Sequence, residues 1–234
     1  MIPIVKGHEP AALTEAKRVI RNTPDATYCY ESLRGEPKRK VLETLLVEQG
    51  HLCAYCMCRI GTDGHPATIE HLIPQHPTDS AADGELSLSY RNMVAVCDGR
   101  GGKTCDKQRG NASMTVDPTR RHTLETIYYH RDGRIDAKDE SVQHDIQITL
   151  GLNNSHTNLC ADRFESMRTI EKVVASTIKR RRIEDNRSAK KMICLKILKK
   201  FESQTDMKDE YLGAKLFVAR RLVSKFDSDR SLGV

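Results

Sequence analysis

The chain has no tryptophan and only 4 phenylalanines in 234 residues, so its core must be largely aliphatic. It has no continuous apolar run of about eighteen residues or more, which argues against a helical membrane span. The start, Met-Ile-Pro-Ile-Val-Lys-Gly-His-Glu, lacks the charged-then-apolar pattern of a secretory signal. A G-x-x-x-x-G-K-[ST] phosphate loop is also missing, so regulation by nucleotide would have to come from another subunit. The expectation is a soluble, cytoplasmic protein with no membrane partner. In a reducing compartment its 8 cysteines read as metal ligands and buried thiols rather than disulfides.

Those cysteines are unevenly spread. Cys53-Ala-Tyr-Cys56 is a C-x2-C knuckle, a turn that lets two thiolates reach one tetrahedral ion. Cys97 and Cys105 would complete a four-thiolate zinc site. The insert between them, Asp98-Gly-Arg-Gly-Gly-Lys-Thr104, is longer than in a standard second knuckle, but its glycines allow it to loop out. Cys58, in Cys56-Met-Cys58, is an alternative ligand. Cys29, Cys160 and Cys194 stand alone and read as packed thiols.

Between the two cysteine clusters lies Ile69-Glu70-His71-Leu72-Ile73-Pro74. Adjacent side chains on a strand point to opposite faces, so Glu70 and His71 serve one site only at a strand end or turn. Pro74 and the polar stretch beyond it make such an end plausible. Phosphodiester hydrolysis needs an activated water and a cation to absorb charge on the leaving oxygen. A neutral histidine supplies the base near pH 7, and a carboxylate suits a hard ion such as Mg²⁺ or Mn²⁺.

The chain resembles the HNH, or ββα-metal, nuclease superfamily, and within it the HNH proteins of retron and Septu-type antiphage systems. The residues that carry the resemblance span roughly 1–165. They include Lys6-Gly-His-Glu-Pro10, Glu48-Gln-Gly-His-Leu-Cys-Ala-Tyr-Cys56, Glu70-His71, Asn92, Cys105-Asp-Lys-Gln-Arg-Gly-Asn111 and Thr149-Leu-Gly-Leu-Asn153. The resemblance implies His71 as the general base and Glu70 as the acidic metal ligand before it. It implies Asn92 as the asparagine that holds the loop, and Asp106 at the third motif position as a second ligand for catalytic Mg²⁺ or Mn²⁺. Asn111 competes with Asp106 for that third position. Lys107 and Arg109 would contact substrate phosphate. The implied partners are nucleic acid and an ABC- or SMC-like ATPase; retron versions add a reverse transcriptase with its RNA–DNA hybrid.

The fold class expected is α+β: a zinc-stapled ββα-metal core flanked by N-terminal helices and a mainly helical C-terminal region. Residues 1–50 form the N-terminal helical segment, with helices over 10–22 and 38–49 and Gly50 as a C-terminal cap. Residues 51–115 form the nuclease core. Residues 116–154 form a β-hairpin extension with Asp132-Gly133 in its turn and an edge strand over 145–150. Residues 155–234 are helical and basic. The segment 161–226 carries 18 Lys+Arg against 9 Asp+Glu, while the rest of the chain is slightly acidic. Such a segment serves phosphates, an acidic partner surface, or simply a solvated helical face.

Overall fold

The structure, a computed structural model, describes residues 1–61, 64–76 and 83–227. About half of them are helical, and two small antiparallel sheets make the fold α+β. Helix α1 (Ala11–Asn22) follows Pro10, and α2 (Glu36–Gln49) carries Pro37 in its first turn, where a missing N–H costs nothing. Leu13 and Ile20 of α1 pack inward with Val41 and Leu45 of α2. Val19, also on α1, is half exposed. Gly50 ends α2 at φ 63°, and its N–H closes the helix on Leu46 and Val47 carbonyls. A Cβ there would lie 2.5 Å from Lys208, so the position also admits the close approach of a distant segment.

Strand β1 (Ala67–His71) pairs with β2 (Met93–Cys97), Ala67 opposite Cys97 and His71 opposite Met93. All of β2 is buried, and a short helix α3 (Cys105–Arg109) follows it. A third strand is replaced by side-chain and knuckle contacts. Gln49 Nε2 donates to Ala95 O at 2.7 Å, and its Oε1 accepts from Ala95 N at 2.7 Å. Ala54 N donates to the same carbonyl at 3.1 Å. The end of α2 and the cysteine knuckle are thereby seated on β2.

The second sheet is the expected hairpin, β3 (Ile127–Tyr129) against β4 (Ile135–Ala137), with Gly133 at φ 85° in its turn. The edge strand expected over 145–150 is not formed. A short helix, Glu140–His144, is capped by Asp139 and continues as a wider helical turn through Asp145–Thr149. Asp145 takes hydrogen bonds from Thr115 N at 2.6 Å and Val116 N at 2.9 Å, which ties the segment to a loop. Ile146 is buried while Ile148 faces solvent. A strand would put both on one face; in a helical turn residues two apart lie on opposite sides, so Ile148 is left outside.

The C-terminal region consists of α4 (Leu159–Arg181), α5 (Arg187–Glu202) and α6 (Leu212–Lys225). Met167, Ile170, Val174, Ile193, Phe201 and Leu216 are buried, whereas Phe164 and Val173 of α4 are substantially exposed. The bundle is fastened to the cysteine-rich region. Tyr211 N donates to Met57 O at 2.9 Å, and Arg59 N to Glu210 Oε1 at 2.7 Å. Arg100 reaches Asp162 at 2.9 Å and the Tyr211 hydroxyl at 2.8 Å.

Arg163 of α4 joins the hairpin to this bundle. It is 2% exposed, and its guanidinium donates to Gly133 O at 2.6 Å, Leu152 O at 2.8 Å and Asn153 Oδ1 at 3.1 Å. Removing it would leave the Gly133 and Leu152 carbonyls without this donor, whereas Asn153 Oδ1 keeps Ile135 N at 2.9 Å. Arg163→Ala is therefore expected to lower unfolding free energy by about 3 kcal/mol. Urea denaturation measures this, and a loss below about 1 kcal/mol would show the bonds to be dispensable.

Candidate metal and catalytic centre

The thiols of Cys53, Cys56, Cys97 and Cys105 all lie within 4.8 Å of one another and all are buried. Three local geometries bring them together. The knuckle turns tightly, with Met57 N on Cys53 O at 3.1 Å and Cys53 N on Cys58 O at 3.0 Å. Cys97 ends β2. The loop to Cys105 then passes through left-handed backbone at Gly99, Arg100, Gly101 and Gly102, three of them glycines. Cys105 N is anchored on Leu150 O at 2.8 Å.

The sulfur spacing matches a tetrahedral ion. Zn–S bonds of about 2.3 Å place neighbouring sulfurs about 3.8 Å apart. Cys53–Cys105 and Cys56–Cys97 are both 3.8 Å. Hydrogen bonding from Cys105 brings the Cys97 thiol down to about 5 and Cys53 is also lowered, while Cys56 and Cys105 are raised, so the four thiols share their protons unevenly. The residues therefore fit a structural metal such as zinc. Cys58 lies outside this set, although its sulfur is 3.4 Å from that of Cys56. Its thiol is raised, by Cys53 first and then by Cys56 and Cys97. Among the described residues no other group of three or more His, Cys, Asp or Glu converges in this way.

His71 is the last residue of β1, the strand end that its pairing with Glu70 requires. Its ring stands edge-on to Tyr30, with centroids 4.6 Å apart, and its Nε2 is 2.8 Å from Ser87 O. A carbonyl can only accept, so Nε2 carries the proton and Nδ1 keeps its lone pair. Burial is the main reason its pKa falls to about 4, so the ring is neutral at pH 7.

Glu70 turns toward α3 instead. Its carboxylate meets Arg109 at 2.5 Å and the Tyr55 hydroxyl at 3.4 Å. Burial pushes the Glu70 carboxyl up to about 7; Arg109 opposes the shift and Asp106 reinforces it through charge and hydrogen bonding. Asp106 thus sits beside Glu70, the juxtaposition its proposed ligand role needs. Two adjacent carboxylates with one cationic neighbour form a site short of positive charge, to which a divalent ion is suited.

Arg109 requires a correction. It was expected to contact substrate phosphate, but its side chain has no exposed surface. Besides Glu70 it donates to His71 O at 2.8 Å, Leu72 O at 2.6 Å and Ala112 O at 2.8 Å. The planar guanidinium is used to close the turn after β1 onto α3. Lys107, the other expected phosphate contact, is exposed on α3. Asn92 fastens the same turn. Its Oδ1 accepts from Ile73 N at 2.8 Å, and its Nδ2 donates to Ile73 O at 3.0 Å and Leu86 O at 3.2 Å. Asn111 is exposed.

Sequence reasoning missed Tyr30, Ser87 and Tyr55 as parts of the centre. Ser87 acts through its backbone carbonyl, which no residue type announces. Tyr30 is about forty positions from His71 and outside any motif. Tyr55 lies inside the quoted knuckle, where its hydroxyl could have been read as a buried donor in search of an acceptor. A scan against protein-family models gives no match, and a search of curated proteins gives none either.

Two outcomes follow from this geometry. Cys97→Ser is expected to lower bound zinc, measured by atomic emission, together with the urea midpoint. A stable Cys97→Ser protein holding a full equivalent of zinc would remove Cys97 from the metal site. Arg109→Lys keeps the charge but cannot span four acceptors, so it should cost roughly 2–3 kcal/mol in the same denaturation assay. Wild-type stability would contradict the role given to the guanidinium.

Proposed function

We propose that this protein is a metal-dependent endonuclease of HNH type, hydrolysing phosphodiester bonds in nucleic acid. The observation that carries the reading is His71, a neutral imidazole held by Ser87 O with Nδ1 left as a base, at the strand end that also bears Glu70. The order β1, β2, α3 around these residues supports it, as does the four-cysteine group packed behind them. His71 Nδ1 would take the proton of the attacking water. Glu70 and Asp106 would hold Mg²⁺ or Mn²⁺, and Asn92 and Arg109 would keep the turn bearing His71 in place. A divalent ion bound there would offset charge on the phosphate and the leaving oxygen.

The resemblance to retron and Septu-type HNH proteins extends the proposal to an antiphage effector. On that reading the chain works with an ABC- or SMC-like ATPase, and in a retron also with a reverse transcriptase and its RNA–DNA hybrid. No helix among the described residues is long and apolar enough to cross a membrane, in keeping with a reading that needs no membrane partner.

The second reading is a non-catalytic zinc-knuckle adaptor that binds nucleic acid or a partner. It is favoured by the Arg109 ion pair, which already engages Glu70, and by the 3% exposure of His71. Cleavage assays decide between them. With Mg²⁺ or Mn²⁺, His71→Ala should cut at least about 10²-fold more slowly than the unsubstituted chain while retaining zinc and fold. Equal rates, or no cleavage by either protein with the partner ATPase present, would favour the adaptor.

A further inference from the structure

Three clefts lie in succession, each sharing two lining residues with the next, and the first begins at the turn after His71. The first, about 410 Å³, is lined by Leu72, Ile73 and Asn92, the residues that form and fasten the turn after His71. It shares Arg91 and Thr119 with a second cleft of about 490 Å³. That cleft shares Pro3 and Arg121 with a third, of about 640 Å³, which ends at Arg220 and Arg221 of α6. Along the whole course the lining includes six basic side chains and two acidic ones, Asp117 and Glu125.

The basic side chains are not equivalent. Arg120 is engaged by Asp117, Arg220 by Glu202 and Arg221 by Glu171, while Lys6 is held by Glu48. Arg91 and Arg121 are exposed and have no side-chain partner among the described residues. They are also the two arginines at which the clefts join. Nearby Asp117 is itself committed to Arg120, Thr119 N and the Thr119 hydroxyl.

We infer that these clefts form one track for a single nucleic-acid strand, with Arg91 and Arg121 binding successive parts of its phosphate backbone. The inference rests on the nuclease reading, since a strand held at His71 must continue across the surface beyond the cut phosphate. Arginine suits phosphate because its planar donors engage two oxygens together. The lining is apolar in part, with Pro3, Ile4 and Val5 between the arginines and Ile127 and Phe217 beyond Arg121. Unpaired bases can pack on such surfaces, whereas a duplex presents mainly sugar and phosphate outward. The two free arginines precede the basic segment 161–226, and the far end of the track is lined by Arg220 and Arg221 of that segment. An acidic protein segment is the alternative occupant.

The test uses the full chain carrying His71→Ala, so that substrate survives. Binding of a fluorescent single-stranded oligonucleotide, as DNA and as RNA, is followed by anisotropy over a salt series. Adding Arg91→Gln with Arg121→Gln is expected to weaken binding about tenfold and reduce the log–log salt slope by about 1.4, near 0.7 for each lost phosphate contact. Arg91→Lys with Arg121→Lys, which keeps charge at both positions, should retain most of the affinity and guards against a folding artefact. Lys196→Gln with Lys199→Gln, exposed on α5, should change binding less than about twofold. Unchanged binding in the glutamine pair would overturn the track, as would an equal loss from the α5 pair. Cleavage by the chain with His71 intact separates the two readings. Track-dependent binding without cleavage defeats the nuclease reading alone, and cleavage with unaltered KM in the glutamine pair defeats the track alone.

Discussion

Four buried sulfurs within a few ångströms of one another are the constraint on which the rest of the structure depends. They come from a turn, from the end of β2 and from the start of α3, segments with few other reasons to meet. Buried thiols crowded in this way are poorly satisfied by each other, and a soft divalent ion binds all four at the observed spacing. Once they are joined, β2 and α3 have a set relation. Arg109 at the end of α3 then falls beside Glu70 and the carbonyls of His71 and Leu72. The four-cysteine group is thereby linked to the Glu70–His71 strand end through a frame of hydrogen bonds from Arg109.

That frame explains the electrostatics around His71 and Glu70. Both sit at the buried end of β1, where low polarity opposes charge on either group. The imidazole responds by staying neutral, with its tautomer set by Ser87 O. The carboxylate has Arg109 on one side and Asp106 close by, and its pKa rises because one cation does not offset both burial and a like charge. A divalent ion would reverse that balance, so the same environment that penalises Glu70 alone suits Glu70 with a metal. The engaged Arg109 is not available at the surface, whereas Arg91 and Arg121 are exposed and line the clefts beyond the turn.

Much of the fold was legible in local pattern. The α2 stripe of Val41 and Leu45 ending in Gly50, the Asp132-Gly133 hairpin and the helical spacing of Met167, Ile170 and Val174 each reflect short-range periodicity. The segment 145–149 was misread because its apolar alternation is that of a strand, whereas the helical turn it forms leaves Ile148 in solvent. Asp145, bound to the 115–116 backbone, holds that turn through a contact about thirty residues away. Val19, Phe164 and Val173 fit an apolar stripe in number but fall where no neighbouring element covers them.

The four thiols, the Glu70–His71 pair and Asn92 were determined by the sequence itself, because metal and acid–base chemistry demand particular side chains and turns demand glycine or a short amide. Tertiary structure decided which partners those side chains meet. It buried Arg109 and gave its planar donors four acceptors, removing it from the reach of phosphate. It aimed Ser87 O at His71 and brought Tyr30 against the ring. It also aligned three clefts along residues from the N-terminus, the 119–125 loop and α6. Burial, tautomer and charge neighbourhood arise from chain segments far apart in sequence, and only their packing sets the distances on which those properties depend.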